Sequence, residues 1–149
     1  MTAVARRLLA CVFPLTVLVP LASSDVAAQV PEFKIVAHAS VPGAVISRQT
    51  LAAIFLGVLS RWSDGKAIVP VDQSATSPVR AQFAEKALGM STLAVNHHWM
   101  NQIRSGRRPP IVKKSDGEVI AFVAANAGAV GYVSAAEALP ETVKLLEMK

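Results

Sequence analysis

Between Asp72 and Arg80 the chain reads Asp-Gln-Ser-Ala-Thr-Ser-Pro-Val-Arg, a grouping that could hold an anion. Ser77 followed by Pro78 is a capping hydroxyl followed by a first-turn proline, so a helix is expected to open there. A helix opening leaves backbone N–H groups unpaired and carries the positive end of the peptide dipole, which favours phosphate or sulfate. Ser74, Thr76 and Ser77 add hydroxyl donors. Arg80 adds a planar fork of N–H groups matched to an oxyanion. These four are the candidate ligand residues. The plainer reading is an ordinary cap at Ser77 and a solvated charge at Arg80.

Other groupings carry less chemistry. Arg104, Arg107, Arg108, Lys113 and Lys114 form a basic cluster that could meet an acidic partner or an anionic surface. No aromatic residue interleaves with it, and nucleic acid is not an expected partner. His97 and His98 are adjacent, so on a helix they point about 100° apart. A shared metal would need i, i+4 spacing; with His38 elsewhere, no metal site is expected. Trp62 and Trp99 read as core or cleft-wall residues. No serine stands in a glycine-framed elbow, and no glycine-rich loop has an adjacent lysine. Asp72 and Asp116 could serve as acids, but nothing in the sequence brings them together. A non-enzyme without a cofactor is the expectation.

The 149 residues include 15 Lys and Arg, 10 Asp and Glu, and one cysteine. That length suits one domain, or one domain plus a leader. At 52% hydrophobic and 17% charged, the chain is too apolar for disorder. One cysteine excludes an internal disulfide framework and a cysteine-based zinc cage. Arg6 and Arg7 precede an apolar run over Leu8–Leu21, interrupted by Pro14 and Pro20, and small residues follow at Val26-Ala27-Ala28. This is the layout of a secretory signal peptide over residues 1–28. The run falls short of the roughly 20 residues a spanning helix needs. Cleavage would remove Cys11 and leave a domain over 29–149, with no membrane span.

The elements that must position the candidate loop follow from pattern. Phe33–Ala39 predicts a first strand. Ser47 caps a helix in which Leu51, Ile54 and Phe55 share one face, and Gly57 ends it. Ala67–Val71 predicts a second strand, at an edge or near its end because of Pro70. Asp72–Thr76 predicts a polar loop. A helix then runs from Pro78 to Gly89, with Val79, Phe83, Ala87 and Leu88 on its apolar face. Ser91 caps a helix through Ile103. Ile111-Val112 starts a third strand, and Ser115 with Glu118 is a capping box for another helix. Val130–Val133 predicts a fourth strand and Val143–Leu146 a last one. Strands alternating with helices predict an α/β fold with a parallel or mixed sheet.

Three segments carry a family resemblance. They are Ile54-Phe55-Leu56-Gly57 with Trp62-Ser63-Asp64-Gly65 and Ile68–Val71; Ser77–Phe83; and Asn126-Ala127-Gly128-Ala129-Val130-Gly131-Tyr132-Val133. Together, and in this order, they resemble the periplasmic phosphate-binding proteins of ABC transporters. The resemblance implies one lobe of a periplasmic binding protein type II fold, a central mixed sheet flanked by helices. Full members close two lobes over one oxyanion; this length suits one lobe, similar to the inserted second one. The family's loop usually reads Ser-Gly-Thr-Arg with an earlier Arg. Here Ser77 and Arg80 match, Pro78 and Val79 replace Gly and Thr, and Gln73 stands near the earlier Arg. Proline removes an N–H donor, valine removes a hydroxyl, and glutamine removes a fixed charge while its amide can still donate.

The expectation is therefore a periplasmic solute-binding-like domain. Its ligand would be phosphate or a related oxyanion, held by Ser74, Thr76, Ser77 and Arg80, with a second lobe or envelope protein as partner. The alternative is an envelope interaction module that kept the lobe fold and lost the anion site.

Overall fold

The computed structural model describes residues 32–149; the expected leader over 1–28 and the start of the domain expected at 29 lie outside them. The described chain runs β1 (Phe33–His38), β2 (Val45–Ile46), α1 (Arg48–Phe55), β3 (Val69–Gln73) and α2 (Pro78–Phe83). A π-helical turn over Ala84–Leu88 continues α2, and α3 (Thr92–Arg104), β4 (Ile111–Lys113), α4 (Asp116–Ala125), β5 (Ala129–Ser134) and β6 (Val143–Met148) follow.

The strands form one six-stranded sheet in the order β2-β6-β1-β5-β3-β4. β1 lies antiparallel to β5 and β6, while β3 is parallel to both β4 and β5, so the sheet is mixed as expected. Period-two alternation splits its side chains between two cores. Ile35, Ala37, Val130 and Tyr132 face α1 and α2, meeting Leu51, Ile54, Phe55, Val79 and Phe83. Val36, Val71 and Val133 face the other way, against Val119, Ile120 and Val123 of α4. Gly131 permits α4 to approach, since a Cβ there would lie 2.9 Å from Val119 Cγ1.

The predicted caps form. The Ser47, Ser77, Ser91 and Ser115 hydroxyls each accept an N–H three residues on. Glu118 departs from the ideal capping box: its carboxylate accepts from Lys114 N–H at 2.9 Å rather than from the cap residue itself. Gly57 and Gly89 end their helical segments with φ of +76° and +68°, the left-handed geometry glycine adopts without cost.

Three expectations need correction. The second strand is displaced to Val69–Gln73 and lies inside the sheet, with Pro70 at its second position opposite Val130. Asp72 and Gln73 thus belong to the strand, because each buried polar side chain finds partners within the fold. The helix from Pro78 is regular α only to Phe83 and widens into the π turn before Gly89. The two-residue β2, parallel to β6, has no sequence signal.

Candidate anion site

The parallel strands β3, β4 and β5 end along one edge of the sheet, at Gln73, Lys113 and Ser134. Four residues separate the end of β3 from the start of α2, and α4 begins beyond β4. In open α/β sheets this carboxyl edge is the usual place for a ligand. The candidate loop, Ser74–Ser77, lies there. It is tied down where Ser74 N–H donates to Lys113 O at 3.0 Å and Ser77 N–H donates to Ser74 O at 3.0 Å.

Ser74, Thr76 and Ser77 are brought together at this mouth. The Ser74 and Thr76 hydroxyls are 3.3 Å apart, and Thr76 is exposed. Ser77 Oγ donates to Gln73 Oε1 at 2.7 Å and accepts from Arg80 N–H at 3.3 Å. Its hydroxyl proton is therefore committed inside the protein. Among the described residues, the amides of Ala75, Thr76 and Val79 have no protein acceptor.

Arg80 lies elsewhere. It is only 7% exposed, with its guanidinium turned under the helix start instead of out to the loop. Nε donates to Asp72 Oδ2 at 3.1 Å and Nη2 to Asn96 Oδ1 at 2.9 Å. Asp72 also accepts from Gln73 N–H at 2.8 Å and from the Tyr132 hydroxyl. The solvated-charge reading of Arg80 is thus corrected: the guanidinium is buried because a buried carboxylate balances it. Burial beside Asp72 pushes the Tyr132 phenol well above its usual range. The Tyr132 ring stacks on Phe83, with centroids 3.9 Å apart and planes 7° from parallel.

Gln73 corrects a second expectation. Nε2 donates to Asp116 Oδ1 at 2.7 Å and to Tyr132 O at 3.0 Å, and Oε1 receives the Ser77 proton. Both amide donors are used, so none is left for an anion. Gln73 also joins the two acids the sequence left apart. Its backbone N–H binds Asp72 and its side chain binds Asp116, whose other oxygen accepts Ser134 N–H at 3.1 Å.

Tyr132 and Asn96 escaped the sequence reading. A lone tyrosine in the apolar run Ala129–Val133 does carry a signal, since a buried phenol needs a partner. Asn96 carries none, because an asparagine in mid-helix is ordinary. The basic cluster divides. Lys113 lies over the Phe122 ring at 4.7 Å, while Arg107 Nη1 donates to Gly57 O at 2.9 Å. His98 Nε2 donates to Leu56 O at 2.9 Å, and His38 Nδ1 binds Ser40. No group of three His, Cys, Asp or Glu among the described residues could hold a metal ion. Trp62 Nε1 donates to Gly128 O at 2.9 Å, and Trp99 is buried against Ala84 and Val95. No helix among the described residues is long and apolar enough to cross a membrane.

The fold is that of one lobe of a periplasmic binding protein. Solved structures with this fold include an ABC-type phosphate transport receptor from Vibrio cholerae, at 21% identity and a TM-score of 0.60 over 79% of this chain and 46% of that one. A protein from Clostridium perfringens, assigned as a phosphate ABC transporter substrate-binding protein and solved with bound phosphate, aligns at 18% identity and a TM-score of 0.64 over 79% and 45%. PstS from Borrelia burgdorferi aligns at 16% identity and a TM-score of 0.62 over 80% and 47%. The chain spans slightly under half the length of each of these. No protein-family model and no curated protein matches it.

Proposed function

We propose that the chain is a non-enzymatic, periplasmic solute-binding-protein-like domain that takes phosphate or a related oxyanion at the Ser74–Ser77 loop, for ABC-type uptake or sensing. The observation that carries the reading is the loop's place at the carboxyl edge of β3, with unpaired amides beside the exposed Thr76 hydroxyl. The ligand would meet the hydroxyls of Ser74 and Thr76 and the amides of Ala75, Thr76 and Val79. Ser77 would shape the loop through Gln73. Arg80, held by Asp72, would act from behind as a screened charge. Such a cradle is open and neutral, so affinity is weak until a second lobe, from another chain or envelope protein, covers it. Export through a signal peptide over 1–28 belongs to the same reading. N-terminal sequencing of the periplasmic form tests it, with a start at Gln29 expected.

Calorimetric titration with phosphate and sulfate tests the binding. Saturable heat at millimolar ligand, reduced by Thr76→Ala, is expected. Absence of heat from either anion removes the ligand reading for the isolated chain.

A second reading is favoured by one specific observation: the Gln73 amide is spent on internal partners, and Arg80 is buried with Nε on Asp72 and Nη2 on Asn96. On it, the chain is an envelope interaction module that kept the lobe and lost the anion site. Recovery of one periplasmic protein by the wild type but not by Arg107→Ala/Arg108→Ala supports it. Identical recovery by both removes the basic segment as the docking element.

A further inference from the structure

A pocket of about 260 Å³ opens between the end of α1 and the segment that follows α3. Its floor is apolar. Ile54 and Ile68 are buried beneath it, Leu59 is partly exposed, and the Trp99 indole forms a wall. That wall depends on Gly57, where a Cβ would stand 2.7 Å from Trp99 Cη2. Arg107 and Arg108 complete the lining. Neither has an acidic partner; the ion pairs among the described residues join Lys66 to Asp64 and Arg80 to Asp72. Arg107 is nonetheless fixed in place, because Nη1 donates to Gly57 O and leaves the rest of its fork unspent.

An apolar floor under an uncompensated positive rim is complementary to a molecule with an apolar body and one anionic head. A guanidinium pair favours a planar head with two oxygens over a point charge. We propose that this pocket binds a small monocarboxylate, its aliphatic or aromatic body against Trp99 and its carboxylate on Arg107 and Arg108. The lining shares no residue with the Ser74–Ser77 loop. The proposal therefore goes beyond the phosphate reading and does not depend on it.

The test is a nuclear magnetic resonance titration with hexanoate, hexanol and hexylammonium, following the Trp99 indole N–H and the Ile54 and Ile68 methyl groups. Hexanoate is expected to shift them saturably. Hexanol is expected to bind about tenfold more weakly, the factor that one charge-assisted hydrogen bond supplies, and hexylammonium more weakly still. Arg108→Ala is expected to lower hexanoate affinity about tenfold while leaving hexanol unchanged, and an unaltered thermal midpoint shows that the variant is folded. Equal binding of the three probes, or no shift at Trp99, overturns the proposal. So does inorganic phosphate that matches hexanoate, because a bare basic patch would then suffice.

Discussion

Arg80 Nε and Asp72 Oδ2 lie 3.1 Å apart, and both residues are more than nine-tenths buried. One end of this pair is on the strand that leads into the candidate loop and the other is on the helix that leaves it. The pair therefore clamps the loop's two ends from beneath. Asn96 and the Tyr132 hydroxyl extend the clamp to α3 and β5.

Breaking the clamp from one side leaves a buried charge without its counter-charge. Arg80→Met is expected to cost about 3–5 kcal/mol of folding stability, read as a fall in the urea midpoint. A change under about 1 kcal/mol, the range of an exposed pair, would show that the pair is not buried in solution.

The pH response of Tyr132 has a definite sign. Its folded-state pKa is raised by desolvation first and by the neighbouring Asp72 charge second. The protonated phenol thus stabilises the fold fully below the unfolded value of about 10. Above that pH the unfolded chain sheds a proton that the native chain keeps, so stability falls as pH rises. Tyr132 is the protein's one tyrosine. Near-ultraviolet absorbance should therefore show no phenolate until the fold is lost, with both changes appearing together. A reversible phenolate step in a still-folded protein contradicts this.

Gly128 joins the Trp62 hairpin to the start of β5. Its φ is +82°, and an added Cβ would stand 2.3 Å from Ala67 O. Its carbonyl accepts Trp62 Nε1–H. Gly128→Ala is expected to destabilise by about 2 kcal/mol or more, since left-handed strain and a backbone clash act together. Thermal unfolding followed by tryptophan fluorescence checks it. Trp62→Phe, which removes the hydrogen bond to Gly128 and part of the indole's packing against the core, should cost about 1 kcal/mol or more.

The loop's hydroxyls separate binding from folding. Ser77→Ala removes the cap of α2 and the bond to Gln73, so about 1 kcal/mol of stability should go with it. Thr76→Ala touches an exposed side chain and should leave the urea midpoint within about 0.5 kcal/mol. If the phosphate reading holds, Thr76→Ala weakens phosphate binding with stability intact. A variant that binds phosphate as the wild type does takes Thr76 out of the site.

The sequence alone determined the local events. Ser47, Ser77, Ser91 and Ser115 announce their helices because a cap is a contact across three residues. Apolar spacing in α1 identifies its buried face for the same reason, since Leu51, Ile54 and Phe55 lie three and four residues apart. The family resemblance, carried by short ordered segments, pointed to the binding-protein lobe fold. Tertiary structure decided what the polar residues of the loop region do. Asp72, Gln73 and Arg80 look like loop and surface groups until Tyr132, Asn96 and Asp116 arrive from distant parts of the chain to pair with them. A buried polar side chain is tolerable only with partners, and those partners are chosen by how strands and helices pack, which spacing along the chain does not reveal.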